Sequence, residues 1–201
     1  NSQKMNRNQI IDFLQYEGKI KFEEQFNNYF DFNKHFDPAR LHAFLRLSDI
    51  SRHLDDMEIL ENLGVAKSIN GALRMINAGI LFFSNNQASL MEQTAITCAV
   101  FEGKEKITIL NRKDYTDDII SNINDALEFV KQSLRVKYKM TGEARRSEEY
   151  EIPLDALREA IVNAVAHRDY FEKGAHTTIE IFSDRIEIGN PGGLAKGLSE
   201  A

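Results

Sequence analysis

The chain has 201 residues, enough for one or two domains that bury a core without disulfide or metal staples. Its hydrophobic content of 42% and charged content of 28% are those of a soluble globular protein. The formal net charge of −6 argues against a strongly basic nucleic-acid module, because phosphate contacts need clustered Lys and Arg. The single cysteine, Cys98, excludes an intrachain disulfide, and its apolar surroundings from Ala95 to Phe101 predict a buried, reduced thiol in a cytoplasmic protein. No apolar run approaches ~18 residues, so no membrane-spanning helix is expected, and the first residues do not make a signal peptide. The chain opens Asn1-Ser2-Gln3-Lys4 and closes just after a glycine-rich loop, so a fragment of a longer protein is expected.

Asn6 to Tyr16 places Ile10, Ile11, Phe13 and Leu14 near helical spacing, and Gly18 ends the segment. Lys19 to Phe32 is rich in aromatics: Phe22, Phe26, Tyr29, Phe30 and Phe32. Glu23, Glu24 and Asp31 among them would repel phosphates, so the run reads as a packing surface rather than a platform for bases. Asp37-Pro38 is a helix start, an N-cap with proline at the first helical position, and Leu41, Phe44, Leu45 and Leu47 follow. A second helix begins near Asp55 with Ile59, Leu60 and Leu63, and Gly64 stops it. With strand-like stretches at 73–76 and 79–83, this order suggests a winged helix. Its second helix carries several acidic side chains and no basic one, so a structural role outranks DNA reading.

Ala78 to Ser84, Thr94 to Phe101 and Ile107 to Leu110 read as three strands, separated by turns at Asn85-Asn86 and at 102–105. Asp117 to Val136 reads as a long helix with Ile119, Ile120, Ile123, Leu127, Val130 and Leu134 in one stripe. Tyr138 to Tyr150 reads as a polar link and the natural place for a domain boundary. Lys131, Arg135, Lys137, Lys139, Arg145 and Arg146 form a basic cluster there. A solvated helix end is the simpler reading, and a phosphate or nucleic-acid contact the alternative.

Pro153 starts a helix running to about Arg168, with Leu157, Ile161 and Val165 on its buried arc. Glu159, Asn163 and His167 recur at four-residue steps and form a second stripe beside that arc. Two period-two stretches, Thr178–Phe182 and Arg185–Ile188, then make an antiparallel hairpin about Ser183-Asp184, and it ends in Asn190-Pro191-Gly192-Gly193-Leu194. His167-Arg168-Asp169 matches the opening of the protein-kinase catalytic loop. That motif needs asparagine five residues after the aspartate, where this chain has Gly174, so the triplet reads as structural.

The segments REAIVNAVAHRDY and DRIEIGNPGGL resemble the ATPase-like domain of bacterial and archaeal proteins described as transcriptional regulators or RecG-related helicases. ILENLGVAKSINGALRMINAGILFFSNN resembles the connecting region that precedes it in that family. In the family, an N-terminal Schlafen-type, AlbA-like DNA-binding domain comes first, and the resemblance implies that this chain lacks it. The family is in turn similar to the GHKL ATPases, whose site pairs a Glu-x-x-x-Asn helix with a strand-ending Asp-x-Gly-x-Gly. The resemblance implies that Glu159 is the general base that activates water, and that Asn163 holds Mg²⁺ and through it the phosphates of ATP. It places Asn190, Gly192 and Gly193 at the adenine-binding loop. Asn190 stands where that superfamily has aspartate, and the second glycine-rich box and lid do not follow within the chain.

The expected fold is therefore α+β. A mostly helical part spans 1–72, a mixed α/β connecting region 73–150, and a truncated GHKL-like helix-plus-hairpin 151–201. The expected function is an ATP-binding regulatory module of a DNA-associated transcriptional regulator. It would contact DNA through the missing domain, pair with a second copy, and work away from membranes. Hydrolysis would belong at most to the full-length protein. The alternative is a non-enzymatic interaction or dimerisation scaffold with a degenerate nucleotide site.

Overall fold

Side-chain caps set the first four helix starts of the chain. A computed structural model describes residues 4–141 and 145–192, with 137–141 and 145–149 described by backbone alone. The fold is α+β, in two compact units, Asn1–Asn86 and Gln87–Ala201.

In the first unit, α1 (Arg7–Tyr16) begins at a reciprocal capping box. The Asn6 side chain accepts from the Gln9 N–H, and the Gln9 side chain accepts from that of Asn6, both at 2.9 Å. Helices α2 (Phe32–His35), α3 (Pro38–Leu47) and α4 (Asp56–Asn62) start at Asp31, Asp37 and Asp55, whose carboxylates accept N–H groups of the first turn. The acidic α4 uses Asp56 internally, against His42 at 2.9 Å and Arg52 at 3.3 Å. Strands β1 (Ala66–Ile69) and β2 (Ala72–Met75) form a hairpin whose two turn residues, Asn70 and Gly71, both have positive φ, 53° and 79°. Asn-Gly is the preferred pair for a two-residue hairpin turn, and this signal was present in the sequence.

The strand expected over Ala78–Ser84 is instead a helix, α5 (Asn77–Phe83), so the winged-helix reading loses its last strand. A short unbroken apolar run fits a buried helix as well as a buried strand, and the surroundings decide. No side chain caps α5. The Gln25 and Glu23 carbonyls accept the N–H groups of Asn77 and Ala78 at 2.8 and 3.0 Å. The aromatic run therefore serves as a backbone cap. Its rings pack on neighbours, with Phe30 edge-on to Phe32 at 5.2 Å and Phe32 5.8 Å from Phe36. Tyr29 stays 85% exposed.

The second unit contains α6 (Gln87–Leu90), β3 (Ile96–Phe101), β4 (Ile109–Tyr115), α7 (Ile119–Ser133), β5 (Val136–Thr141), β6 (Arg145–Tyr150), α8 (Leu154–Ala166), β7 (Thr177–Ile181) and β8 (Ile186–Gly189). One sheet has the order β4-β3-β7-β8, with β3 and β7 parallel and the outer pairs antiparallel. Cys98 lies level with Ile179. Ile96, Cys98, Ile179 and Ile181 are buried on one sheet face. Helix α7 packs against β3 and β7, and α8 against α7 and β8.

Three expectations are corrected in this unit. The third strand starts at Ile109 rather than Ile107 and runs on to Tyr115. The expected polar link at 138–150 is a hairpin, β5–β6, with Lys137 level with Glu149. The expected boundary there, and the divisions at 72/73 and 150/151, give way to the single division after Asn86, because β3 and β7 share one sheet. Helix α7 is where it was expected, but its buried line runs through Ile119, Asn122, Ala126, Phe129 and Val130. Asn122 is fully buried, and its amide exchanges two 2.8 Å hydrogen bonds with the Asp117 backbone, so burial costs it little.

Among the described residues no helix is long and apolar enough to cross a membrane. None of their His, Cys, Asp and Glu side chains gather in a group of three that could hold a metal ion.

Gly79 lies where β2 crosses α5. A Cβ there would collide with the Met75 side chain and sit 2.9 Å from the Val65 carbonyl. Gly79→Ala is expected to cost about 1–3 kcal/mol through overpacking. Urea unfolding should show a lower midpoint at unchanged slope, whereas an unchanged midpoint would show that Met75 yields freely.

Candidate functional site

Helix α8 places its apolar residues Leu157, Ile161 and Val165 inward, which leaves Glu159, Asn163 and His167 exposed along one line. Four-residue steps separate them by about 6 Å each along the axis. The helix ends at His167, whose backbone N–H donates to the Asn163 carbonyl at 2.9 Å.

The chain then turns sharply, and Arg168 points inward, 5% exposed. Its Nη1 donates to the Asp169 carbonyl at 2.6 Å. Its Nη2 donates to the Glu172 carbonyl at 2.7 Å and also to that of Ala175. The expectation of a structural triplet at 167–169 holds, with Arg168 gathering backbone carbonyls. Tyr170 packs against it, 5.3 Å from guanidinium to ring, and donates its hydroxyl to the Val165 carbonyl at 2.9 Å. Burial pushes the Tyr170 phenol up to about 12, so it stays protonated.

The end of β8 comes to this same corner. Asn190 Nδ2 donates to the His167 carbonyl at 3.3 Å, and the Asp169 N–H donates to the Pro191 carbonyl at 3.1 Å. Gly192 has φ 121°, and a Cβ there would sit 3.1 Å from the Cβ of Asp169. Only glycine takes this backbone at this approach without strain.

The structure therefore joins Asn190 and Gly192 to the His167 end of the stripe, while Glu159 lies about 12 Å further along the helix axis. Gly193 lies outside the described residues. This face of α8 offers an exposed carboxylate at Glu159, an exposed amide at Asn163 and, at its far end, a glycine turn, the kinds of group that take up a proton, a hard cation and a close ligand backbone. Of the basic cluster, Lys131 lies on α7, 3.4 Å from Glu128. Lys137 and Lys139 on β5, and Arg145 and Arg146 on β6, share one two-stranded ribbon.

A second concavity escaped the sequence reading. The sheet face away from α7 borders a cavity of about 320 Å³ lined by Thr97, Phe101, Arg112, His176, Thr178 and Glu180. Thr97 Oγ1 donates to Asp114 Oδ1 at 2.7 Å, and this bond holds the Asp114 carboxyl below its usual range. Its one trace in the sequence is the polar alternate residues of β3 and β7, such as Thr97 and Thr178.

No family model matches the chain, and no curated protein matches it. Among solved structures it is similar to the crystal structure of the DIP2311 protein from Corynebacterium diphtheriae, with a TM-score of 0.67 at 18% identity. The likeness covers 98% of this chain and 38% of that one, so the chain spans well under half of that protein's length. At this identity the likeness concerns the α+β fold alone.

Cys98 is buried in β3, and burial raises its thiol from an ordinary 9.0 to about 12. A raised folded value means that the folded state keeps its proton while the unfolded thiol ionises. This contribution to stability is complete below about pH 9 and is lost as pH rises towards 12. Urea unfolding of wild type and Cys98→Ala between pH 8 and pH 10.5 should show the steeper alkaline decline in wild type. Parallel declines would count against a protonated buried thiol.

Proposed function

We propose that this chain is the GHKL-like, ATP-binding module of a DNA-associated transcriptional regulator, which contacts DNA through a separate N-terminal domain. One observation carries the reading: the exposed Glu159–Asn163–His167 line of α8 meets the Asn190–Gly192 turn at its C-terminal end. The motif letters of the resemblance name Glu159, Asn163, Asn190 and Gly192, and the contact of the turn with the end of α8 supports the reading.

The donor set fits Mg²⁺ and a nucleotide. Asn163 supplies a neutral hard oxygen for the cation. Gly192, lacking a Cβ, lets a ligand approach the backbone of the turn, and the resemblance assigns Asn190 and Gly193 to the adenine side. Bound Mg²⁺ supplies charge neutralisation at the phosphates. Glu159 is exposed and takes the proton from the attacking water. Nucleotide binding at this corner would bias the DNA contacts made elsewhere in the protein. The buried thiol of Cys98 is in keeping with a cytoplasmic setting.

The alternative is an interaction or dimerisation scaffold that keeps the fold without nucleotide. Asn190 favours it: an amide stands where the family has aspartate, and it spends a donor on the His167 carbonyl.

In the full-length protein, calorimetry with Mg-ATP should register binding. Glu159→Ala should lower hydrolysis by about 10²–10⁴-fold while affinity stays within a few-fold. Absence of any nucleotide heat would overturn the ATP reading, and a concentration-dependent dimer in the same sample would then support the scaffold.

A further inference from the structure

We infer that Arg168 is the positioning residue of the glycine turn. It fixes the backbone of Asp169, and through Asp169 it holds Asn190–Gly192 against the C-terminal end of α8. The inference rests on the nucleotide-site reading only for its effect on ligand binding.

A buried guanidinium costs several kcal/mol unless its donors are met. Arg168 offsets most of that cost through Nη1 and Nη2, which donate to backbone carbonyls at Asp169, Glu172 and Ala175 across the loop after the helix, while its buried Nε has no partner among the described residues. A planar fork donates from separate nitrogens in fixed directions and so reaches carbonyls further apart than the three donors of one ammonium nitrogen. The loop is thus gathered around one side chain.

The Asp169 peptide groups link this centre to the turn. Its carbonyl accepts from Arg168 Nη1, and its N–H donates to the Pro191 carbonyl. One residue therefore carries the constraint from the buried cation to the segment bearing Gly192. The side chain of Asp169 tightens the link: its Oδ1 accepts the Phe171 N–H at 2.9 Å, and its Cβ faces the bare Cα of Gly192. Asn190, bonded to the carbonyl of His167 next door, closes the same corner. A displacement of Asp169 pulls on the turn through its N–H bond to the Pro191 carbonyl. Glu159, two turns back on a helix held by its own apolar face, is insulated from that movement.

Positioning therefore differs from mere stabilisation in where its loss is felt. Arg168→Lys keeps the charge and most of the volume but loses the fork. In the full-length protein it should raise hydrogen exchange at the Asp169, Asn190 and Gly192 amides about 10-fold or more, the loss of one charge-assisted bond, with Ile161 unchanged. Mg-ATP affinity should fall about 10-fold, while turnover of bound nucleotide stays within about 3-fold because Glu159 is undisturbed. Val165→Ala, a core truncation on the same helix, serves as the control for a general stability loss. The inference is overturned if Arg168→Lys leaves the Asp169 amide as protected as in wild type, or if Val165→Ala reproduces the same local pattern. Should wild type bind no nucleotide, the ATP reading fails and the exchange arm still decides the role of Arg168. Arg168→Gln, which keeps an amide donor without the charge, replaces the lysine variant if that one does not fold.

Discussion

The parallel pairing of β3 with β7 is the constraint on which the second unit depends. Two parallel strands need a crossover between them, and here the connection runs out along β4, back through α7 and the β5–β6 hairpin, and in again along α8. Cys98 and Ile179 meet side by side at its centre, both fully buried. Because α7 packs on β3 and β7, and α8 on α7 and β8, the pairing also sets where α8 stands relative to β8. The corner where the His167 end of α8 meets the glycine turn follows from that placement.

At that corner the chain reverses direction within a few residues, and such a turn exposes or strands backbone carbonyls. A buried arginine solves the problem from inside. Its donors satisfy three carbonyls, and the peptide that follows it hands the constraint on to the end of β8. An arrangement that first serves loop satisfaction thereby sets the geometry of an exposed surface. The first unit uses the same logic in simpler form: the Glu23 and Gln25 carbonyls receive the first N–H groups of α5 where no side-chain cap exists.

Local rules read well where the cause is local. Asn6, Asp37, Asp55 and Asp118 each announce a helix, and each accepts the N–H groups that a cap must. The alternation in 178–188 gave the last hairpin to within a residue, and the 3.6 period placed α7 and α8. The stripe of Glu159, Asn163 and His167 was legible because side-chain direction on a helix is fixed by spacing alone. What Arg168 does was not legible, since its partners are carbonyls, and every residue type offers one. The ribbon β5–β6 was missed although Val136, Tyr138 and Met140 alternate with lysines along β5, because the charged run of its partner β6 carries no such alternation.

By itself, then, the sequence determined the α+β class, most helix starts, the last hairpin and the residues that share the exposed line of α8. These depend on caps, periodicity and turn residues within a few positions of one another. Tertiary structure alone decided that Asn77–Phe83 is a helix, that the chain divides after Asn86, and that the Asn190–Gly192 turn closes on His167 and Asp169. Each of these depends on backbone groups or strands brought together from distant parts of the chain, and residue type does not encode such partners locally.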